Sequence, residues 1–76
     1  MQDINKALAG GIRAEMARQD KSVDQLADAL GVHRVTASRI RGGHTSLSID
    51  QLDMIANFLA TDAVTLLATA LDRAAA

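Results

Sequence analysis

Residues Ser22–Gly43 read SVDQLADALGVHRVTASRIRGG, and the fold turns on how this stretch is parsed. Val23, Leu26, Ala27 and Leu30 follow the i, i+3, i+4, i+7 spacing of an amphipathic helix over 23–30. Ser22 with Gln25 three residues later has the pattern of a reciprocal capping box. Gly31 ends the helix, because glycine enters the left-handed conformation beyond a helix end at little steric cost. Val32-His33 makes the turn, with Val32 directed inward. A second helix, 34–41, places Thr36, Ala37 and Ile40 on one side and Arg34, Val35, Ser38, Arg39 and Arg41 on the other, at about 100° per residue. Gly42-Gly43 closes it. A short helix after a tight turn, apolar inside and arginine-rich outside, is a candidate for insertion into a DNA groove.

Outward from this pair, the flanking segments also carry helical periods. Ile4, Leu8, Ile12 and Met16 recur at four-residue steps, predicting a helix over 4–19 with Asp3 as its N-cap. Gly10-Gly11 lies inside it, at about 1 kcal/mol per glycine relative to alanine. That cost implies a bend there or close packing of a neighbouring helix. Asp20-Lys21 forms the next turn. Ser48 with Gln51 is a second capping box and opens a helix over 49–59, with Ile49, Leu52, Ile55, Ala56 and Leu59 on one face. Thr61 or Asp62 caps a last helix over 62–71, in which Ala63, Val64, Leu66, Leu67, Ala70 and Leu71 make a broad apolar stripe. Residues 72–76 are expected to fray. Alanine and leucine dominate the apolar residues, Phe58 is the single aromatic, and proline is absent, a vocabulary of helices.

The 76 residues suit one small all-α domain, 1–76, which dimerisation would help to stabilise. With no cysteine, neither a disulfide framework nor a thiolate metal site is available. No apolar run reaches the length of a membrane span. The opening MQDINKAL lacks a signal peptide's layout. The expectation is a soluble, cytoplasmic protein that makes no membrane contact. The formal net charge is −1, yet no acidic residue occurs between Asp28 and Asp50, where His33, Arg34, Arg39, Arg41 and His44 all fall. A near-neutral protein with one cationic window points to a single directed contact.

The motifs Gln25-Leu26-Ala27, Leu30-Gly31-Val32 and Ser38-Arg39-Ile40 are joined by Ser22, Thr36, Gly43 and the later Leu52, Ile55-Ala56, Leu59. Together they resemble the lambda-repressor/Cro-like (XRE-type) helix-turn-helix family, over roughly residues 12–71. The resemblance implies a five-helix bundle whose 34–41 helix enters the major groove with its outward residues on base edges. The chain departs from the family at four positions. His33 stands where a small hydroxyl usually caps that helix. Ala37 replaces a larger apolar residue, Val23 a polar one that often grips a phosphate, and Leu47 a frequent proline.

The side-chain chemistry nominates the contacts. Arg39 suits the O6 and N7 of guanine, and for Arg34 base and phosphate contact stand equally open. Val35 offers methyls to a thymine methyl, and Ser38 a short hydroxyl. Phosphate candidates are Lys21, Ser22 and Val23 at the start of the 23–30 helix, where free backbone amides favour anions, with Arg41 and the loop residues Thr45 and Ser46. Met54 and Phe58 lie off the main stripe of the 49–59 helix. They meet either the last helix or, with Leu67 and Leu71, a second subunit. His33 and His44 lack the spacing of a helical zinc pair, and no arrangement of nucleophile and base is positioned, so no cofactor, metal or enzymatic activity is expected. The leading expectation is a transcriptional regulator, a Cro-like or phage-type repressor, that binds an inverted-repeat operator in double-stranded DNA as a homodimer. Lacking a ligand domain, it would be regulated by protein level, partners or proteolysis. An antitoxin-like or co-regulator module that binds a protein partner is the alternative, and a DNA-architectural factor is a weaker third.

Overall fold

The computed structural model describes residues 3–75. Met1 and Gln2 of the opening segment and Ala76 of the stretch expected to fray lie outside them. Five helices follow in order: α1 (Ile4–Arg18), α2 (Val23–Leu30), α3 (Arg34–Arg41), α4 (Ile49–Phe58) and α5 (Ala63–Ala75), with no strand among the described residues. α1 packs along α5, α2 against α3 and α4, and α1 also meets α3. The core forms where these faces converge, and Ile12, Met16, Leu26, Ile40, Ile55 and Leu59 are its largest fully buried side chains. Ala37 and Ala56 are also fully buried. No single helix is long and apolar enough to cross a membrane among the described residues, and α4 and α5 diverge by 101°.

The helix starts follow local chemistry. Asp3 accepts from the Asn5 and Lys6 amides, and Ser22 and Ser48 each form a complete capping box with Gln25 and Gln51. For α5 it is Asp62 that accepts from the Thr65 amide, at 2.8 Å. The ends of α1 to α4 share a different device. In each, a left-handed residue lets the next amide reach back five residues: Lys21 to Met16, Val32 to Ala27, His44 to Arg39 and Thr61 to Ala56. Gly31 and Gly43 occupy that left-handed position for α2 and α3, but Asp20 (φ 56°) and Ala60 (φ 58°) do so for α1 and α4.

Three features differ from the sequence-based expectation. First, Gly10 and Gly11 sit in an unbroken α1 with room for a side chain. A methyl on Gly11 would meet nothing within 4 Å, and one on Gly10 only the tips of Arg13 and Arg73. Second, α5 continues to Ala75, past the expected end at 71. Its last turn is made of good helix formers, and Ala74 borders one open groove with Lys6, Ala7 and Gly10 of α1. Third, Ile49 is 83% exposed, since it opens α4 at the edge of the bundle. The α5 stripe is similarly divided: Leu66 and Ala70 are buried, while Val64, Leu67 and Leu71 are exposed.

Candidate nucleic-acid interface

The α2–α3 pair is held tightly by small and apolar residues. Ala37 is completely buried, and Ile40 and Leu26 seat the pair in the core. Thr36 is half-buried, and Val32 packs on the core from the turn. His33 occupies the N-cap of α3 in extended backbone (φ −69°, ψ 153°) but makes no side-chain cap hydrogen bond. Its imidazole does not replace the hydroxyl usual at this position in the family it resembles.

Arg34, Val35, Ser38 and Arg39 are all exposed, and they border one shallow groove of about 330 Å³ together with Val23 and Arg41. Val35 is 72% exposed, an unusual setting for a β-branched apolar residue and one suited to a partner's methyl group. The two outward arginines are each tied to another element through Nε. Arg34 Nε lies 3.1 Å from Asp24 Oδ1 on α2, and Arg39 Nε donates to Thr45 Oγ1 at 3.4 Å. Asp24 therefore enters the cationic window that the linear charge pattern leaves free of acids.

The far end of α3 is fixed by α1. Arg13 Nη1 donates to the Arg41 carbonyl at 2.7 Å, which satisfies a last-turn oxygen and sets a positive charge at the negative end of the helix. Asn5 Nδ2 donates to the carbonyls of Gly43 and Thr45, each at 3.2 Å, and so pins the loop that carries Thr45. Gly43 is buried against Lys6 and Ala9, and a methyl added there would lie 3.4 Å from both. Asn5, Arg13 and Asp24 escaped the sequence reading. Their partners are distant in the chain, so no local period marks them.

The remaining candidates divide. Ser22 is engaged as a cap, accepting from the Gln25 amide at 3.1 Å, beside the first turn of α2. The Val23 side chain is buried, leaving its backbone amide as the group a phosphate would meet. Lys21 turns elsewhere: its Nζ donates to the Phe58 carbonyl and lies 4.3 Å from the centre of the Phe58 ring. This half-buried aromatic packs on the core, so Phe58 joins α4 to the α1–α2 turn. Ser46 borders a different, mostly apolar groove with Ile4, Leu8, Leu47, Ile49, Leu52 and Leu67. Met54, Leu67 and Leu71 are exposed.

Two carboxylates have shifted titration, both away from the α3 face. The Arg18 guanidinium and the Gln19 amide hold Glu15 below the usual carboxylate range, and the Thr65 amide and hydroxyl do the same for Asp62. Among the described residues no three His, Cys, Asp or Glu side chains gather as a metal set.

Residues 12–66 match the model of a helix-turn-helix family. No curated protein matches the chain. Two crystal structures of the clp gene regulator ClgR from Corynebacterium glutamicum superpose closely. One has a TM-score of 0.88 at 22% identity, covering 96% of this chain and 78% of that one. The other has a TM-score of 0.85 at 20% identity, covering 96% of this chain and 95% of that one. At such identities the likeness is one of fold.

Proposed function

The chain belongs to the helix-turn-helix family of DNA-binding transcriptional regulators, and from that premise we propose that it is a sequence-specific repressor, reading its operator with α3 in the major groove. The observation that carries this reading is the common exposure of Arg34, Val35, Ser38 and Arg39 on one groove-lining face of α3. Arginine forks onto guanine, and valine packs on a thymine methyl. Ser22, the Val23 amide, Arg41 and Thr45 flank that face as phosphate contacts. Residues 1–76 act as one binding domain. A homodimer brings two copies of α3 to half-sites about one DNA turn apart, using exposed apolar residues of α4 and α5 that include Met54, Leu67 and Leu71. Repression is by occlusion of the promoter.

Binding-site selection from random duplexes, with the purified chain, tests the proposal. One palindromic motif is the expected result, and the absence of any enriched sequence overturns it. Arg39→Ala should weaken specific binding by about 1–3 kcal/mol at fixed salt, while unchanged affinity would remove α3's outer face from the interface. The apolar groove bordered by Ile4, Leu47, Ile49 and Leu67 favours a second reading, a co-regulator or antitoxin-like module that binds a protein partner. A stable complex with another protein together with no selected DNA motif would establish it.

A further inference from the structure

We propose that Asp24 is a positioning residue that commits Arg34 to a base edge and keeps it from serving as a phosphate clamp. The inference rests on the reading of α3 as the DNA-contacting helix. Asp24 Oδ1 meets Arg34 at Nε, 3.1 Å away, and both side chains are largely in solvent. An exposed ion pair of this kind adds little to folding, so its consequence lies in what it does to the guanidinium. The carboxylate sits beside Nε as an ion-pair partner and not a hydrogen-bond acceptor, and neither terminal nitrogen of Arg34 donates a hydrogen bond among the described residues, so the end-on fork that matches guanine O6 and N7 is available. Arg39 is held differently, by a hydrogen bond from Nε to Thr45 Oγ1 at 3.4 Å, which likewise leaves its terminal nitrogens without a hydrogen bond among the described residues.

The charge of Asp24 acts in the same direction. A phosphate brought to Arg34 would also approach the Asp24 carboxylate, and like charges at short range repel. A guanine edge carries no such charge. The pair thus lowers attraction to any backbone and preserves attraction to the right base. Holding a rotamer-rich side chain before binding also removes part of the ordering cost, by no more than the strength of the exposed pair itself, at most about fivefold in affinity. Asp24 lies in the first turn of α2, where an acid also suits the helix dipole. That structural role is independent of Arg34, so the two are separable.

The test is binding-site selection and competition at one salt concentration with the wild type, Asp24→Asn, Asp24→Glu, Arg34→Ala and the Asp24→Asn/Arg34→Ala double variant. Arg34→Ala identifies the base pair that Arg34 reads. Asp24→Asn should lower discrimination at that same position by up to about fivefold and raise affinity for random duplex. Asp24→Glu should retain the discrimination, and Asp24→Asn should change no base preference once Arg34 is alanine. An Asp24→Asn motif identical to that of the wild type overturns the inference, as does a loss spread evenly over all positions. A motif that survives with Arg34→Ala altering no position overturns it too, while leaving the DNA-binding function intact. If the wild type itself selects no motif, the function fails first and the inference with it.

Discussion

His33→Ser should stabilise the protein, and its size can be worked from the other caps. Ser22 and Ser48 adopt extended backbone at φ −94°, ψ 164° and φ −75°, ψ 164°, and each accepts from an amide three residues on at 3.1 Å. His33 has the same backbone, φ −69° and ψ 153°, without a side-chain bond to α3. A serine at this position needs only a side-chain rotation to accept from the Thr36 amide. Thr36 is neither Glu nor Gln, so the reciprocal half of a capping box is not formed. A one-sided cap is worth about 1 kcal/mol. For a domain of this size that corresponds to a rise in Tm of about 4–8 °C.

Thermal and urea unfolding followed by far-ultraviolet circular dichroism measure the change directly, with equality of the calorimetric and van't Hoff enthalpies as the check on two-state behaviour. Ser22→Ala and Ser48→Ala, each expected to lose about 1 kcal/mol, calibrate what a cap contributes in this scaffold. If both controls fall as expected and His33→Ser leaves Tm unchanged or lowers it, the idea that α3 begins with an unfilled cap is refuted. The substitution leaves the outward arginines in place, so stability should change independently of the DNA contacts proposed for them.

Backbone fit supplies a second pair of stabilising changes. Ala60 holds the left-handed position that favours glycine, while Gly11 sits mid-helix with open space around its Cα, so Ala60→Gly and Gly11→Ala should each raise stability by about 1 kcal/mol in urea denaturation; a fall in either midpoint would contradict the geometry at that site. Acid should destabilise the fold through Glu15 and Asp62. Both carboxyls lie below their usual range in the folded protein, so the unfolded chain binds more protons, and stability that is complete above the ordinary carboxylate range is lost as pH falls through it and on through the lowered values. Asp62→Asn should flatten the dependence of the urea midpoint on pH below about 5, and an unaltered slope would show that Asp62 does not contribute to it.

The parts of this fold legible in the sequence are those whose partners are close in the chain. Ser22 with Gln25 and Ser48 with Gln51 are three residues apart, and the apolar spacing of Val23, Leu26, Ala27 and Leu30 needs no knowledge of what it packs against. Periodicity assigns a side to a residue, but it does not say where a neighbouring element stops. For that reason Ile49 reads as core and lies in solvent, and the α5 stripe reads as one face although only Leu66 and Ala70 are covered. The Gly10-Gly11 pair suggests close packing only because glycine is costly in a helix. Nothing local reveals that the side facing it is open. The α3 face itself was readable, since its arginines and its buried Ala37 and Ile40 separate by angle alone. The partners that hold it were not: Asn5 and Arg13 reach across the fold from α1, and Asp24 lies ten residues before Arg34.

Those distant partners explain how an eight-residue helix can hold a fixed place in the fold. Isolated helices of such length do not persist in water, and α3 has no side-chain cap at its start. Its order comes from outside: Ala37 and Ile40 seat it in the core, Arg13 and Asn5 anchor its last turn and the following loop to α1, and Asp24 reaches its first residue from α2. Each polar anchor meets a backbone carbonyl or lies at an Nε, and the terminal nitrogens of Arg34 and Arg39 make no hydrogen bond among the described residues. With a net charge of −1 the molecule has little long-range attraction to a polyanion. On the proposed reading, binding depends on a few well-held groups meeting the right bases, so the residues beside Arg34 and Arg39 bear on selectivity along with the arginines themselves.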